Sequence, residues 1–158
     1  MPSKRYAGSD PWRAAERLLK VRPRSVGELR ERLIRKGFLP EDIETAIDRL
    51  QKAGLLDDRA FARWWIAQRS TLKPTGAFGL SMELRAKRID RDTIQQALAE
   101  TGVKEAELEL AREALEPRVT RFKRFAPDLG KKKAGEFLAR RGFSREVIWE
   151  IMRDWERK

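Results

Sequence analysis

One sequence pattern occurs three times in this chain and restricts the folds that the chain can adopt. The stretch from Arg35 to Ile47, RKGFLPEDIETAI, is echoed by RRGFSREVIWEIM from Arg140 to Met152. A third copy lies between them and has Arg88 in place of the glycine. Each copy has apolar residues at helical spacing on both sides of a short turn, which predicts two helices joined tightly.

The three copies lie 51 and 54 residues apart and align at five apolar positions. The aligned residues are Leu29, Leu33, Phe38, Ile43 and Ile47 in the first copy, Leu80, Leu84, Ile89, Ile94 and Leu98 in the second, and Ala134, Leu138, Phe143, Ile148 and Met152 in the third. One further helical segment precedes each copy. The pattern therefore predicts three units of three helices, which we place at residues 1–54, 55–102 and 103–158.

A single unit of this size buries little apolar surface, so neighbouring units are expected to stack and extend the core. The predicted fold is all-α, with three tandem three-helix repeats stacked into an elongated, curved, right-handed or solenoid-like array. A single compact helical bundle is the alternative. Such extended surfaces usually bind extended partners.

Local signals predict the ends of nine helices. They cover Pro11–Val21, Val26–Lys36, Pro40–Ala53, Asp58–Leu72, Ala77–Lys87, Arg91–Thr101, Lys104–Phe125, Leu129–Arg141 and Arg145–Glu156. Pro117 should kink or split the seventh helix. The predicted N-caps are Asp10, Ser25 in a capping box with Glu28, Asp57, Asp90 and Asp128. Left-handed turns are predicted at Gly37, Gly54, Gly102 and Gly142.

The middle copy departs from the pattern at its turn. A left-handed conformation at Arg88 costs about 1 kcal/mol or more. Either the turn is built differently in this copy, or the arginine is retained for its charge.

The charge balance favours an acidic partner. The chain has 36 Lys and Arg against 25 Asp and Glu, a net charge of +11. This is typical of proteins that bind nucleic acid or the acidic face of a protein. Both ends of the chain are basic and the middle is mildly acidic, so a partner that is part protein and part DNA also fits.

Two basic clusters and a few further cations are the candidate contact residues. The first cluster is Arg30, Arg32, Arg35 and Lys36; the second is Arg118, Arg121, Arg124, Lys131, Lys132 and Lys133; the others are Arg88, Arg140 and Arg141. If Asp128 is an N-cap, the three lysines oppose the helix dipole, and an outside anion would offset that cost. A solvated surface is the alternative.

The adjacent Trp64 and Trp65 point about 100° apart on a helix, which favours packing on two different sides. An exposed protein-binding anchor is the alternative.

Several classes of function are excluded or disfavoured. The chain has no cysteine and no histidine, so it lacks disulfides, thiol nucleophiles and zinc sites built from these residues. No phosphate-binding glycine loop occurs, and Asp57-Asp58 is better interpreted as a helix cap than as a metal clamp. We therefore expect no cofactor and no enzyme activity. The N-terminal residues lack the apolar run of a signal peptide, and no segment is long enough to span a membrane, so we expect a cytoplasmic protein.

Four stretches resemble the RecX family of recombination regulators. They are the opening segment with Arg22, Arg24, Ser25, Glu28, Leu29 and Leu33; LLDDRAFARWWIAQRS from Leu55 to Ser70; GAFGLSMELRAKRI from Gly76 to Ile89; and KKAGEFLARRGFSREVIWEIM from Lys132 to Met152. The resemblance extends over about Pro11 to Trp155. The double aspartate in this repeat context is its most specific part.

The resemblance implies a cytoplasmic regulator that binds the filament of RecA recombinase on DNA, and we expect a monomer. It implies inhibition of RecA ATPase, strand exchange and co-protease activity, in DNA recombination, DNA repair and the SOS response, with weak affinity for single- or double-stranded DNA. It implies no cofactor. A helical DNA-binding or architectural protein that acts directly on DNA is the alternative. Gly79 and Arg88 depart from the family pattern, where arginine and glycine are usual.

Overall fold

The structure, a computed structural model, describes residues 10–155, in which every regular element is a helix. The helices are α1 (Pro11–Val21), α2 (Val26–Arg35), α3 (Pro40–Lys52), α4 (Asp58–Leu72), α5 (Ala77–Ala86), α6 (Arg91–Glu100), α7 (Glu107–Leu115), α8 (Val119–Phe122), α9 (Pro127–Arg140) and α10 (Arg145–Arg153). Repeat 1 contains α1–α3, repeat 2 contains α4–α6 and repeat 3 contains α7–α10. The all-α class with three helical repeats is confirmed. The division at residues 54/55 and 102/103 stays a prediction, and the predicted signal-free N-terminus and the helix end at Glu156 lie outside the described residues.

Four of the five predicted N-caps are confirmed. Asp10, Asp57 and Asp90 each accept a hydrogen bond from a backbone N–H in the first turn of the helix that follows. Ser25 and Glu28 form the complete capping box at the start of α2. These short-range hydrogen bonds fix where four helices begin, α1, α2, α4 and α6.

The predicted cap at Asp128 is wrong. Helix α9 begins two residues earlier than predicted, with Ala126 as its N-cap and Pro127 in its first position. Proline needs no hydrogen-bond partner there, since it has no N–H to satisfy. Asp128 therefore lies in the first turn, where its charge complements the helix dipole, and Lys131–Lys133 lie beyond that turn. The expected electrostatic cost of these lysines falls accordingly.

Pro117 splits the predicted seventh helix, as expected. Helix α7 ends at Leu115, a 3-10 turn covers Glu116–Arg118, and α8 adds one further helical turn. The missing N–H of the proline prevents the continuous α-helical hydrogen-bond ladder. Residues 101–106 form turns, so α7 also begins later than predicted.

The turn inside each repeat is built in the same way, including the turn at Arg88. The φ angles are 88° at Gly37, 61° at Arg88 and 75° at Gly142. In each case the next residue donates its N–H back across the turn, as from Ile89 to the Leu84 carbonyl at 3.2 Å. A differently built middle turn was thus the wrong alternative, and Arg88 accepts the left-handed strain.

The apolar core consists of two clusters rather than one. Repeat 1 has its own cluster around Leu29, Leu33 and Leu50. Repeats 2 and 3 share a larger cluster that runs from Phe61 to Trp155. Two separate clusters fit a stack of repeats better than a compact bundle around one common core.

Trp64 and Trp65 are both half-buried against the shared core. Their ring centroids lie 5.7 and 6.1 Å from that of Phe61. The indole N–H of Trp65 also donates to Glu83 Oε2 at 2.8 Å. Both tryptophans therefore pack against the shared core, so the exposed anchor was the wrong alternative, and packing on two different sides stays a prediction.

Candidate partner-binding face

The two junctions between repeats use the same hydrogen-bond frame. At the first junction, the Ser25 hydroxyl donates to the Lys87 carbonyl at 2.6 Å. At the second, the N–H of Gly76, the residue that aligns with Ser25, donates to the Arg141 carbonyl at 2.9 Å. The start of the middle helix in one repeat therefore meets the turn of the next repeat.

A carboxylate from the next repeat adds a second cap at each junction. The Val26 N–H donates to Asp58 Oδ1 at 2.8 Å, and the Ala77 N–H donates to Glu107 Oε1 at 3.0 Å. Burial raises the pKa of the Asp58 carboxyl, while the Val26 N–H opposes that change. The second aspartate of the Asp57-Asp58 pair thus fastens repeat 1 to repeat 2, a role that sequence reasoning missed.

Glycines allow the close approach at both junctions. A Cβ on Gly27 would lie 2.6 Å from Arg88 Cβ, and a Cβ on Gly142 would lie 2.1 Å from the Gly79 nitrogen. Arg88 can carry a side chain because Gly27 faces it, whereas Gly142 and Gly79 must both be glycine. The two departures from the family pattern, Gly79 and Arg88, are therefore residues of the two contacts.

The corresponding position at the far end of the stack is already filled. Gly130 aligns with Ser25 and Gly76, and a Cβ there would lie 2.5 Å from the carbonyl oxygen of Phe122. Helix α8 of the same repeat thus occupies the place that a following turn takes at the other two junctions.

A groove of about 390 Å³ lies over the first junction. Its charged lining comes from α2, α4 and α5 and from the segment before α2. The basic residues are Arg22, Arg24, Arg32, Arg35, Arg69 and Lys87, and the acidic residues are Glu28, Glu31 and Glu83. Trp65 forms an aromatic wall, with Lys87 Nζ 4.1 Å and the Arg69 guanidinium 4.9 Å from its ring centroid.

The three carboxylates of this first groove are all neutralised by neighbours. Glu28 accepts hydrogen bonds from Arg22 and Lys87. Burial alone would raise the pKa of the Glu28 carboxyl, but these two cations lower it to about 2. Glu31 pairs with Arg88 at 2.6 Å and Glu83 with Arg69 at 2.8 Å.

Three arginines of the first groove, Arg24, Arg32 and Arg35, form no ion pair within residues 10–155. Arg24 is only 7% exposed and donates from Nε to the Leu18 carbonyl at 3.2 Å. Burial, followed by the charges of Arg22 and Arg32, lowers the pKa of Arg24. The groove therefore keeps uncompensated positive charge, which an anion would relieve.

Two smaller grooves continue this surface across repeats 2 and 3. The second, of about 240 Å³ over the second junction, is lined by Lys73, Thr75, Phe78, Gly79, Met82, Glu83, Ala139, Arg140, Arg141 and Gly142. The third, also about 240 Å³, is lined by Arg121, Phe122, Phe125, Lys133, Glu136 and Arg140. Glu83 borders the first and second grooves, and Arg140 borders the second and third. We call the three grooves together the basic face.

Six of the predicted contact residues lie on the basic face. They are Arg32, Arg35, Arg121, Lys133, Arg140 and Arg141. Arg118 adjoins it, since its guanidinium and that of Arg141 lie 4.7 and 5.0 Å from the Phe137 ring centroid. Burial and the charges of Arg118 and Arg69 lower the pKa of Arg141.

The other six predicted residues lie outside the three grooves. Arg30 forms two hydrogen bonds with Glu44, at 2.6 and 3.1 Å, and Arg88 is paired with Glu31. The remaining four, all outside the lining of the grooves, are Lys36, Arg124, Lys131 and Lys132.

Sequence reasoning left Arg24, Arg69, Lys87 and Trp65 out of the candidate contact set. One signal could have identified Lys87: the repeat alignment places it with Lys36 and Arg141, so a basic residue precedes the turn in every copy. For the other three, the stacking of the repeats brings separate helices together.

Two further observations concern the described residues alone. None of the helices within residues 10–155 combines the length and apolar character that a membrane crossing requires. In the same residues, no group of three or more acidic side chains is arranged to hold a metal ion.

The fold defines a protein built from three tandem three-helix repeats, with basic grooves across all three. Models of the first, second and third three-helix domains of RecX match residues 12–50, 57–98 and 105–152. The chain therefore belongs to the RecX family.

Individual relatives agree with this assignment. The chain is 34% identical over 137 residues to the regulatory protein RecX of Amycolatopsis mediterranei, covering 87% of this chain and 78% of that protein. It is 37% identical over 139 residues to the regulatory protein RecX of Chlorobaculum tepidum, covering 88% and 84%. The crystal structure of RecX from Lactobacillus salivarius has the same fold, with a TM-score of 0.81 at 20% identity over 94% of this chain and 96% of that one.

Proposed function

We propose that this protein is a regulator that binds the RecA–DNA filament and mainly inhibits RecA ATPase, strand exchange and co-protease activity. It would act in recombination, DNA repair and SOS control, in the cytoplasm and as a monomer. Its family membership and the name of its relatives, regulatory protein RecX, support a regulatory role.

The continuity of the basic face over all three repeats is the observation that carries this proposal. A small-molecule site would concentrate its polar groups in one enclosed pocket. Here, cations from all three repeats line grooves that share Glu83 and Arg140 at their borders. Such a surface fits an extended anionic partner that contacts several repeats at once.

The proposed mechanism is binding rather than catalysis. A protein that spans neighbouring RecA subunits would hold them in one arrangement and slow the changes that ATP hydrolysis requires. The unpaired Arg24, Arg32 and Arg35 would contact the acidic protein surface or the DNA backbone. For the predicted residues outside the grooves, such as Arg124 and Lys132, contact with RecA or DNA stays a prediction.

A RecA ATPase assay on single-stranded DNA tests the proposal. Protein added below the RecA concentration should reduce the hydrolysis rate. The double variant Arg32→Glu/Arg35→Glu should weaken inhibition at least tenfold in effective concentration, since it reverses two unpaired charges in the first groove. The matched variant Arg13→Glu/Arg17→Glu, on exposed positions of α1 outside the grooves, should inhibit nearly as the native chain does. Full ATPase activity in the presence of folded native protein would reject the proposal.

Direct action on DNA is the second candidate, and the net charge of +11 favours it. This function predicts tight binding to naked DNA, with an affinity that falls steeply as salt rises. A salt titration that compares naked DNA with the RecA–DNA filament separates the two functions. Strong filament binding with weak naked-DNA binding at physiological salt would favour the filament regulator.

A further inference from the structure

Helix α5 presents an apolar pair to solvent on the basic face. Phe78 is 69% exposed and Met82 is 49% exposed, and they lie one helical turn apart. The aligned residues are Gly27 and Glu31 in repeat 1 and Lys132 and Glu136 in repeat 3. The exposed apolar pair is thus a feature of repeat 2 alone.

The ring of Phe78 has no partner among residues 10–155, unlike the other exposed aromatic rings. Phe125 has Lys133 Nζ 5.0 Å from its ring centroid, and Trp149 has the Arg153 guanidinium at 5.3 Å. The same holds for the half-buried Trp65 and Phe137, whose faces are also covered by cations. Phe78 therefore keeps an uncovered aromatic face in the second groove.

Cations line the groove in which this ring lies. Lys73 and Arg140 line the same groove as Phe78, and neither forms an ion pair within residues 10–155. The groove's carboxylate, Glu83, is already held by Arg69. Position 79 requires glycine, because a Cβ there would lie 2.7 Å from the Arg141 carbonyl oxygen. The floor of the groove therefore carries no side chain at this position.

We propose that Phe78 is a stacking platform for one unpaired base of single-stranded nucleic acid, with Met82 beside it and Lys73 and Arg140 on the adjoining phosphates. An uncovered aromatic ring flanked by unpaired cations is the combination by which proteins hold single strands. Duplex DNA offers no free base face to such a ring. The site would therefore give the basic face a preference for single strands. This inference rests on the nucleic-acid part of the proposed function and names the strand form that is bound.

Binding of three fluorescein-labelled probes of equal length tests this proposal. The probes are a single-stranded oligothymidine, an abasic strand with the same number of phosphates, and a duplex. Phe78→Ala should weaken binding of the oligothymidine about 5- to 100-fold, the range expected for loss of one base–aromatic stack. Binding of the abasic strand and of the duplex should change less than about twofold, because the phosphates of both probes still contact the cations of the groove.

Two matched variants complete the experiment. Phe78→Tyr keeps an aromatic face and should retain most of the single-strand affinity. Trp149→Ala removes an exposed aromatic residue outside the basic face and should leave all three affinities unchanged. Melting temperatures of all variants should match that of the native chain, since Phe78 is largely exposed.

Two results would overturn the inference. One is that Phe78→Ala binds the oligothymidine as tightly as the native chain does. Failure of the native chain to bind that strand would overturn the inference in the same way. The other is an equal loss for all three probes, which would mean that Phe78 supports charge or structure rather than stacking. If Phe78→Ala instead loses binding to the RecA filament while naked-strand binding is kept, the patch contacts protein and the inference fails. Inhibition of RecA by the native chain is measured separately, so failure of the proposed function is distinguished from failure of the stacking inference.

Discussion

The two junctions of the stack share a hydrogen-bond frame but differ in what surrounds it. The first junction is polar: Glu28, Lys87, Glu31 and Arg88 form ion pairs over it, and the apolar core of repeat 1 stays separate. The second is tight and apolar, since Gly79 and Gly142 bring two backbones together over a core common to repeats 2 and 3. The same repeat thus forms one joint that depends on charge and another that depends on packing.

This difference divides the molecule into repeats 2 and 3, which share one apolar core, and repeat 1, which is held to them mainly by polar contacts. Apolar packing is insensitive to salt and moderate pH, whereas exposed and half-buried ion pairs respond to both. Disturbing the second junction should therefore unfold repeats 2 and 3 together. Disturbing the first junction should loosen repeat 1 with a smaller loss of stability.

The largest effect is expected from Gly142→Ala at the second junction. The new Cβ would lie 2.1 Å from the Gly79 nitrogen, and φ is 75°. The backbone clash and the left-handed conformation together should lower the free energy of unfolding by about 3 kcal/mol or more. Urea unfolding measures this loss.

Gly54→Ala is the matched control for that variant. Gly54 has a similar φ of 72°, but no atom lies within 4 Å of its Cβ position. It should lose only about 1 kcal/mol, from backbone strain alone. Equal losses in the two variants would show that the close approach of the second junction contributes nothing.

A smaller and pH-dependent effect is expected from Glu28→Gln at the first junction. The pKa of Glu28 is lowered to about 2 from an ordinary value of 4.5, so the folded state favours its ionised form. This stabilisation is complete above the unfolded pKa and is lost as the pH falls from about 5 to about 2. The variant should lose about 1–3 kcal/mol at pH 7 and converge with the native chain near pH 2.

Thermal unfolding across this pH range measures the convergence. The control is Glu44→Gln, which breaks an exposed ion pair with Arg30 and should cost less than about 1 kcal/mol. A pH-independent loss at Glu28 would contradict the assignment of the first junction as charge-dependent.

The smallest effects are expected from the pair Gly27 and Arg88. Gly27→Ala should lose about 1–2 kcal/mol, because its Cβ would lie 2.6 Å from Arg88 Cβ. Arg88→Gly removes both the backbone strain at this position and the exposed ion pair with Glu31. The two effects oppose each other, so stability should change by less than about 1 kcal/mol. The double variant should recover at least half of the loss in a double-mutant cycle. Simple additivity of the two changes would show that the residues do not compete for space.

Features set by neighbours in sequence could be predicted, and features set by stacking could not. The capping box at Ser25 and the break at Pro117 are local and were predicted correctly. The error at Asp128 came from preferring a side-chain cap over Pro127, although proline in the first helical position is itself a signal for a helix start.

The candidate site was predictable only in part for the same physical reason. Arg32 and Arg35 lie three residues apart on one helix, so their clustering is visible in the sequence. Arg24, Arg69 and Trp65 meet in the first groove because the frame between Ser25 and Lys87 brings repeat 1 against repeat 2. Only the repeat alignment carries information of this kind, and it identifies Lys87 but not the others.

The filled position at Gly130 gives the stack a direction. Helix α8 closes the repeat 3 end by placing the Phe122 carbonyl where another unit's turn would dock. At the opposite end, the turn at Lys36 and Gly37 is exposed among the described residues and meets no such helix start. A fourth unit added by protein engineering would therefore extend the array only when placed ahead of repeat 1.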